Sequence, residues 1–391
     1  MSYKFARRMG TVHRSFIREI LKVTANPEII SFAGGLPNPG LFPVAAMDMA
    51  SREVFSEIGS SALQYSTTEG DAGLRSIISG RYVKRGLTVD PDSILVTTGS
   101  QQILDLCAKI FIDRGDKIVI ERPGYLGAIQ SFSMFEPEFV TVSLDDDGPD
   151  LEELEAAFKD GAKLFYAVPN FQNPSGVSYS LEKRKAVAAL LDKYNVLFIE
   201  DDPYGELRFR GDDLPSVYSF CKKPGVLCGS FSKIAAPGFR IGWAVAEKEI
   251  YDKLVIAKQA SDLHTSTVAQ AIMRRYLETN EIDDHIDIIR ESYGRQCEVM
   301  IEMIGEYFPK EVSITRPEGG MFLWATMPDG FASMDLFDVA IKDKVAFVPG
   351  RPFYVDGSGE NTLRLNFSNS DEKKTEDGIK RLGRSIYSFL K

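Results

Sequence analysis

The sequence predicts an α/β protein, a mainly parallel sheet flanked by helices and followed by a smaller α+β unit. Two observations carry this. Between residues 93 and 246, short apolar runs alternate with amphipathic stretches, the pattern of buried parallel strands joined by crossover helices. Beyond them, a long helical stretch at about 283–308 leads into a second group of strands and helices. A chain of 391 residues can hold one large domain and one smaller one. The predicted division is 1–45 for an N-terminal helix and extended segment, 46–285 for the large domain and 286–391 for the small one.

Taken in order, residues 11–24 place Phe16, Ile17, Ile20 and Leu21 on one helical face. That helix packs with the small domain or over the site, and the sequence does not choose between them. In IISFAGGLPNPGLFP (29–43), Gly34-Gly35 and three prolines rule out a helix or a central strand. The segment is either extended with a close backbone approach to something or a plain connector. Residues 44–58 read as helical, Tyr65 sits in a loop, and a helix begins at about Ala72.

Strands are predicted at 94–100, 117–121, 139–144, 163–169, 196–202, 226–231 and 241–246. Helices lie between the first five, one of them capped by Ser180. Two more helices follow at 248–262 and 266–278. The last unit reads as strands VSITR, MFLWATM, VAFVPG and TLRLNFS with helices at 334–344 and 371–388. Ligands of such sheets bind beyond the carboxyl ends of the strands, which is where the polar motifs of the large unit fall.

Composition narrows the function. A net charge of −10 argues against nucleic acid or an anionic membrane as main partner. No apolar run reaches the length of a membrane span, and the N-terminus lacks the apolar core of a signal peptide. The four cysteines are scattered without metal-ligand spacing, as expected of reduced thiols in a cytoplasmic protein. Three histidines leave little material for a metal site or a Ser-His-Asp triad, so no metal is expected.

The stretch GSFSKIAAPGFRIGW (229–243) is the chemical centre. Lys233 follows a buried strand, where a charged amine costs several kcal/mol unless it is paired or neutralised. Desolvated there, a lysine loses its proton and attacks a carbonyl. Ser230, Ser232 and Arg240 beside it suit a phosphate. A carbonyl cofactor with a phosphate arm fits, and pyridoxal 5′-phosphate is one. Taken alone, the stretch also fits a surface lysine in a serine-rich turn.

The other motifs are weaker singly. Gly99-Ser100-Gln101 opens a helix whose N–H groups favour a phosphate, but is also an ordinary strand-to-helix turn. Tyr125 after Pro-Gly either stacks on a flat ring or is a core aromatic. Asn173 lies in NPSG, also a common turn. Asp201 ends an apolar strand, where a carboxylate keeps a pyridine nitrogen protonated. Tyr204, three residues on, suits the ring's phenolic oxygen; a helix cap is the other reading of Asp201 or Asp202. Arg364 inside TLRLNFS either points inward to a bidentate carboxylate or outward from an edge strand.

In combination, NPSG, DDPY, SFSK-x6-R and RLNFS resemble the fold-type I pyridoxal-phosphate aminotransferases of class I/II, over essentially the whole chain. IREIL, ISFAGGLP-P-LFP and LQY-TEG resemble the branch of 2-aminoadipate, kynurenine-type, aromatic and broad-specificity aminotransferases. The resemblance implies that Lys233 carries the cofactor and moves the proton between Cα and C4′. Asp201 would pair the pyridine nitrogen, Asn173 and Tyr204 the phenolic oxygen, and Tyr125 would stack on the ring. Ser100, Gln101, Ser230, Ser232 and Arg240 would hold the phosphate. Arg364 would clamp the substrate α-carboxylate, with the Gly35 backbone near it. Tyr65 would reach the phosphate of a neighbouring subunit, which implies a homodimer with shared sites. Arg18, with Ser15 nearby, would meet a distal carboxylate or swing aside for an aromatic ring; it is otherwise one more solvated helix charge. The expected reaction moves an amino group from an L-amino acid to 2-oxoglutarate in a ping-pong cycle.

Two competing readings remain at this level. The same scaffold also runs elimination and decarboxylation, which Lys233, Asp201 and Arg364 do not discriminate. It also occurs behind DNA-binding winged helices in regulators, which the acidic chain and the lack of a basic helix-turn-helix argue against.

Overall fold

The structure is a computed structural model and describes residues 3–10, 20 and 26–390. The strands are β1 (Ile30–Ser31), β2 (Ile94–Thr97), β3 (Lys117–Arg122), β4 (Glu138–Asp145), β5 (Gly148–Pro149), β6 (Leu164–Ala167) and β7 (Leu197–Asp201). They continue as β8 (Val226–Ser230), β9 (Gly242–Ala246), β10 (Ser313–Ile314), β11 (Phe322–Thr326), β12 (Val345–Ala346), β13 (Val348–Pro349) and β14 (Thr362–Asn366). Eight form one sheet in the order β2-β9-β8-β7-β6-β3-β4-β5. Neighbours from β8 through β4 run parallel, and β9 runs against β2 and β8. β2, β3, β6, β7 and β8 therefore end on one edge of the sheet.

These strands form around short runs of apolar residues, many of them β-branched or aromatic, bounded by turns. β2, β6, β8 and β9 are buried throughout, as a sheet covered on both faces requires. One large core packs between the sheet and the helices that include Ser100–Phe111 and Thr267–Thr279. A second lies on the other face with Leu151–Lys159 and Leu181–Tyr194. The Ser180 hydroxyl caps the latter helix at the Lys183 amide, as its sequence predicts.

A four-stranded antiparallel sheet, β10-β11-β14-β13, makes the smaller unit, reached through the helix Ile282–Tyr307. The stretch 345–350, expected as one strand, splits at Phe347 because its halves take different partners. β12 pairs in parallel with β1, and β13 pairs with β14. The segment 29–43 is thus anchored to the small unit. Ile20 is buried there too, with Ala33, Trp324, Ala346, Val348 and Phe353. The rest of the expected 11–24 helix, with Ser15 and Arg18, lies outside the described residues. No described helix is long and apolar enough to cross a membrane. Among the described residues no group of three or more His, Cys, Asp or Glu side chains is placed to hold a metal.

Candidate active site

A cavity of about 450 Å³ opens at the common carboxyl edge of the large sheet. Each strand end contributes. Ser100 and Gln101 follow β2, Tyr125 follows β3, Asn173 follows β6, Asp201 closes β7, and Ser230, Ser232 and Lys233 stand at the end of β8. Arg240 reaches it from the turn before β9, Gly35 from the extended segment and Arg364 from β14. Of the expected site residues that the structure describes, Tyr65 is not among those lining the cavity. Tyr65 is 80% exposed in the single chain, edge-on to His264, and Arg18 lies outside the described residues.

Lys233 donates to the Gly35 carbonyl at 2.9 Å. Burial, then the cations Arg364 and Arg240, pull its amine down to about 8. Near neutral pH a far larger fraction of it is therefore neutral and nucleophilic than of an exposed lysine. The Ser230 and Ser232 hydroxyls lie 2.9 Å apart, and the Ser230 oxygen accepts from the Ser232 amide.

Gly99 precedes the helix with φ +76, and a Cβ there would stand 2.3 Å from an Arg240 guanidinium nitrogen. The glycine lets that guanidinium reach the helix N-terminus, where backbone N–H groups already favour an anion. Arg240 itself adopts φ +54, rare for a non-glycine residue.

Arg364 is buried and points inward, which settles the two readings of its strand. Its guanidinium donates to Asn173 Oδ1 at 2.7 Å and to the Ala33 carbonyl at 2.8 Å, between the rings of Phe322 and Phe353. Asn173 also lies 3.4 Å from the Tyr204 hydroxyl. Burial raises Tyr204, and lifts Tyr125 to about 12, so both phenols keep their protons.

Of the cavity residues, Arg364 at Nε and Asp201 each keep a buried polar atom without a partner. Burial pushes the Asp201 carboxyl up to about 7, against a lowering by the hydrogen bond from Tyr166 at 2.8 Å to Oδ2. Its Oδ1 is buried with no partner. A buried oxygen left bare costs about 1–3 kcal/mol, so it marks a place where a ligand donor belongs. A pyridinium nitrogen is such a donor. The strand-end lysine, the bare aspartate oxygen and the anion cradle at Gly99 fit pyridoxal phosphate.

Sequence reasoning missed Tyr166, which looks like one more aromatic in a buried strand. It also missed Leu36, Leu126 and Gln130 on the cavity wall. Only the strand period could have flagged Tyr166. Its register partner is Ile199, so it shares a face with Asp201 two residues on.

Fold and site together define a fold-type I enzyme that works with pyridoxal phosphate. The chain belongs to the family "Aminotransferase class I and II", whose profile matches residues 29–382. It is 41% identical to the 2-aminoadipate transaminase of Thermus thermophilus, over 100% of this chain and 98% of that protein. It is also 41% identical to aromatic-amino-acid aminotransferase 1 of Thermococcus litoralis, over 99% of this chain and 95% of the other. The crystal structure of Pyrococcus horikoshii kynurenine aminotransferase with pyridoxamine phosphate, kynurenine and kynurenic acid superposes with a TM-score of 0.95. It has 41% identity and covers 99% and 98% of the two chains. The protein is a pyridoxal-phosphate-dependent aminotransferase with amino acid and oxo acid substrates.

Proposed function

We propose that this aminotransferase takes its amino group from L-2-aminoadipate or an aromatic amino acid and passes it to 2-oxoglutarate. The relatives at about 41% identity, named for aminoadipate, aromatic amino acids and kynurenine, support that donor range. The observation that carries the site assignment is the buried, unpartnered Oδ1 of Asp201 in the same cavity as Lys233. Bound pyridoxal phosphate supplies an electron sink for the charge left when the donor loses its Cα proton.

The chain's own residues do the rest. Asp201 would keep a proton on the ring nitrogen, and Asn173 and Tyr204 would bond the phenolic oxygen. Tyr125 would stack on the ring. Ser100, Gln101, Ser230, Ser232 and Arg240 would hold the phosphate. Arg364, whose place is set by Asn173 and the Ala33 carbonyl, offers its remaining donors to the α-carboxylate. Gly35, whose carbonyl accepts from the amine of Lys233, would lie beside that carboxylate. Lys233, whose amine burial pulls down to about 8, would take the Cα proton and deliver it to C4′. Leu36 and Leu126 give the cavity an apolar wall and Gln130 a neutral polar one. Such a wall accepts an aromatic ring, and a distal carboxylate by hydrogen bonding, with Arg18 as its added charge. The protein works as a homodimer in the cytoplasm, with Tyr65 completing the partner's phosphate site. Exposed Val44, Met49, Ile58 and Leu63, near Tyr65 in the sequence, support such a contact.

The test is an absorption spectrum of the loaded enzyme with a panel of amino acids, alongside its mass in solution. Bleaching of the aldehyde-form band by 2-aminoadipate and aromatic donors, reversed by 2-oxoglutarate, in a particle twice the chain mass is expected. A donor panel answered only by alanine or aspartate, or a monomer, overturns the corresponding part.

A further inference from the structure

We propose that Tyr166 is a positioning residue of the cofactor site: its hydroxyl fixes Asp201 through Oδ2 and so reserves Oδ1 for the ring nitrogen of pyridoxal phosphate. This rests on the reading of Asp201 as the ring-nitrogen partner.

The geometry is specific. The side chains of Tyr166 on β6 and Asp201 on β7 share one face of the sheet, because Tyr166 is in register with Ile199. Their contact is 2.8 Å, and both are almost fully buried. Tyr166 is held in turn by an edge-on contact with Phe132, with ring centroids 5.6 Å apart. No described hydrogen-bond donor other than Tyr166 reaches the Asp201 carboxylate. The acidic groups that raise the proton affinity of its neighbours, Cys107 and Cys228, include Asp201 itself, so these thiols stay neutral and offer it no charge.

A single donor therefore does two things. It stabilises the charged form of a carboxylate that burial disfavours, and it removes the rotational choice between the two oxygens. Without it, Asp201 holds its own proton more tightly and its carboxyl turns more freely. Both changes weaken the hold on a ring N–H and leave the phosphate contacts intact.

The test compares Tyr166→Phe with wild type in the affinity of the apoenzyme for two cofactors. One is pyridoxal phosphate and the other is its 1-deaza analogue, which has C–H in place of the ring nitrogen. Affinity is read from quenching of intrinsic fluorescence, independently of turnover. For pyridoxal phosphate Y166F should bind roughly tenfold to a hundredfold more weakly, the range for a hydrogen bond to a charged group. For the analogue, Y166F and wild type should agree within about a factor of three, since nothing then depends on where Oδ1 points.

Equal losses for both ligands would reduce Tyr166 to a packing residue and overturn the proposal. Wild type binding both ligands equally would overturn the reading of Asp201, and the proposal with it. Tyr179→Phe is the control, losing a buried tyrosine–carboxylate bond away from Asp201; it should leave the ratio between the ligands at the wild-type value. If Y166F does not fold, the same ratio is read on Tyr166→Met, whose adaptable chain refills the volume without a donor.

Discussion

Glu121 and Asp201 are two buried carboxyl groups on neighbouring parts of one sheet, and they have opposite fates. Burial pushes both up to about 7, and each accepts from a tyrosine hydroxyl. Glu121 is finished by the protein. Tyr179 donates to one oxygen at 2.7 Å, and the Val168 amide and Gln172 donate to the other at 3.2 Å each. Asp201 keeps one oxygen bare. The register explains the division. Asp201 shares a face with Tyr166, whereas Glu121, next to Ile120 in register with Tyr166, turns to the other side. A carboxyl completed by its own fold is a brace, and one left incomplete at a cavity is a place for a ligand.

The strongest way to break this comparison is to neutralise each group in turn. Asp201→Asn should lower kcat/KM for transamination by roughly a hundredfold to a thousandfold, the size of effect seen when one preorganised electrostatic partner is removed. Glu121→Gln should change kcat/KM by no more than about threefold, because the hydrogen bonds it disturbs hold the fold and touch no substrate. Steady-state kinetics of the two variants, loaded with cofactor, check this. Similar losses in both would mean that Glu121 is not merely a brace.

Gln172 tests the brace directly. Its amide donates to the Pro123 carbonyl at 2.7 Å and to Glu121, and its oxygen accepts from the backbone and hydroxyl of Ser175. It thus ties the loop after β3 to the one carrying Asn173. Gln172→Ala strips partners from groups that stay buried, at about 2 kcal/mol. Denaturant unfolding of the apoenzyme should show that loss, and a change under about 0.5 kcal/mol, the usual size at an uncoupled surface site, would remove Glu121 from the role of brace.

The same contrast explains how much could be read from the chain alone. The strands of the large sheet were legible because each carries a short, mostly apolar run, and the strand-end lysine, aspartate and asparagine because polar groups there break the run. Arg364 was ambiguous because a strand does not state which face is inward; only pairing with β11 and β13 around it does. Tyr166 was illegible for the converse reason. A tyrosine in a buried strand satisfies the apolar pattern, and its hydroxyl gains meaning only through a register between strands about thirty residues apart. The split at Phe347 was likewise hidden, since it depends on β1 arriving from the far N-terminal part to pair with one half.

The finest discrimination comes from acidity. A carboxyl whose proton affinity rises on folding binds more protons in the native state than in the unfolded chain. Its stabilising share is full below the unfolded value and is lost as pH rises through the folded one. For Glu121 the window runs from the usual 4.5 to about 7, and for Asp201 from 3.8 to about 7. The apoenzyme should therefore lose thermal stability as pH climbs across that range, and Glu121→Gln and Asp201→Asn should each remove part of the slope. Pyridoxal phosphate should separate them. A ring N–H on Oδ1 favours the charged form of Asp201 and cancels its share, while Glu121, out of reach on the other face, keeps its own. Melting temperatures of apo and loaded wild type and Glu121→Gln between about pH 4.5 and 7 measure this. The loaded Glu121→Gln protein should show the flattest profile of the four. A slope unchanged by the cofactor would mean that nothing on pyridoxal phosphate meets Asp201.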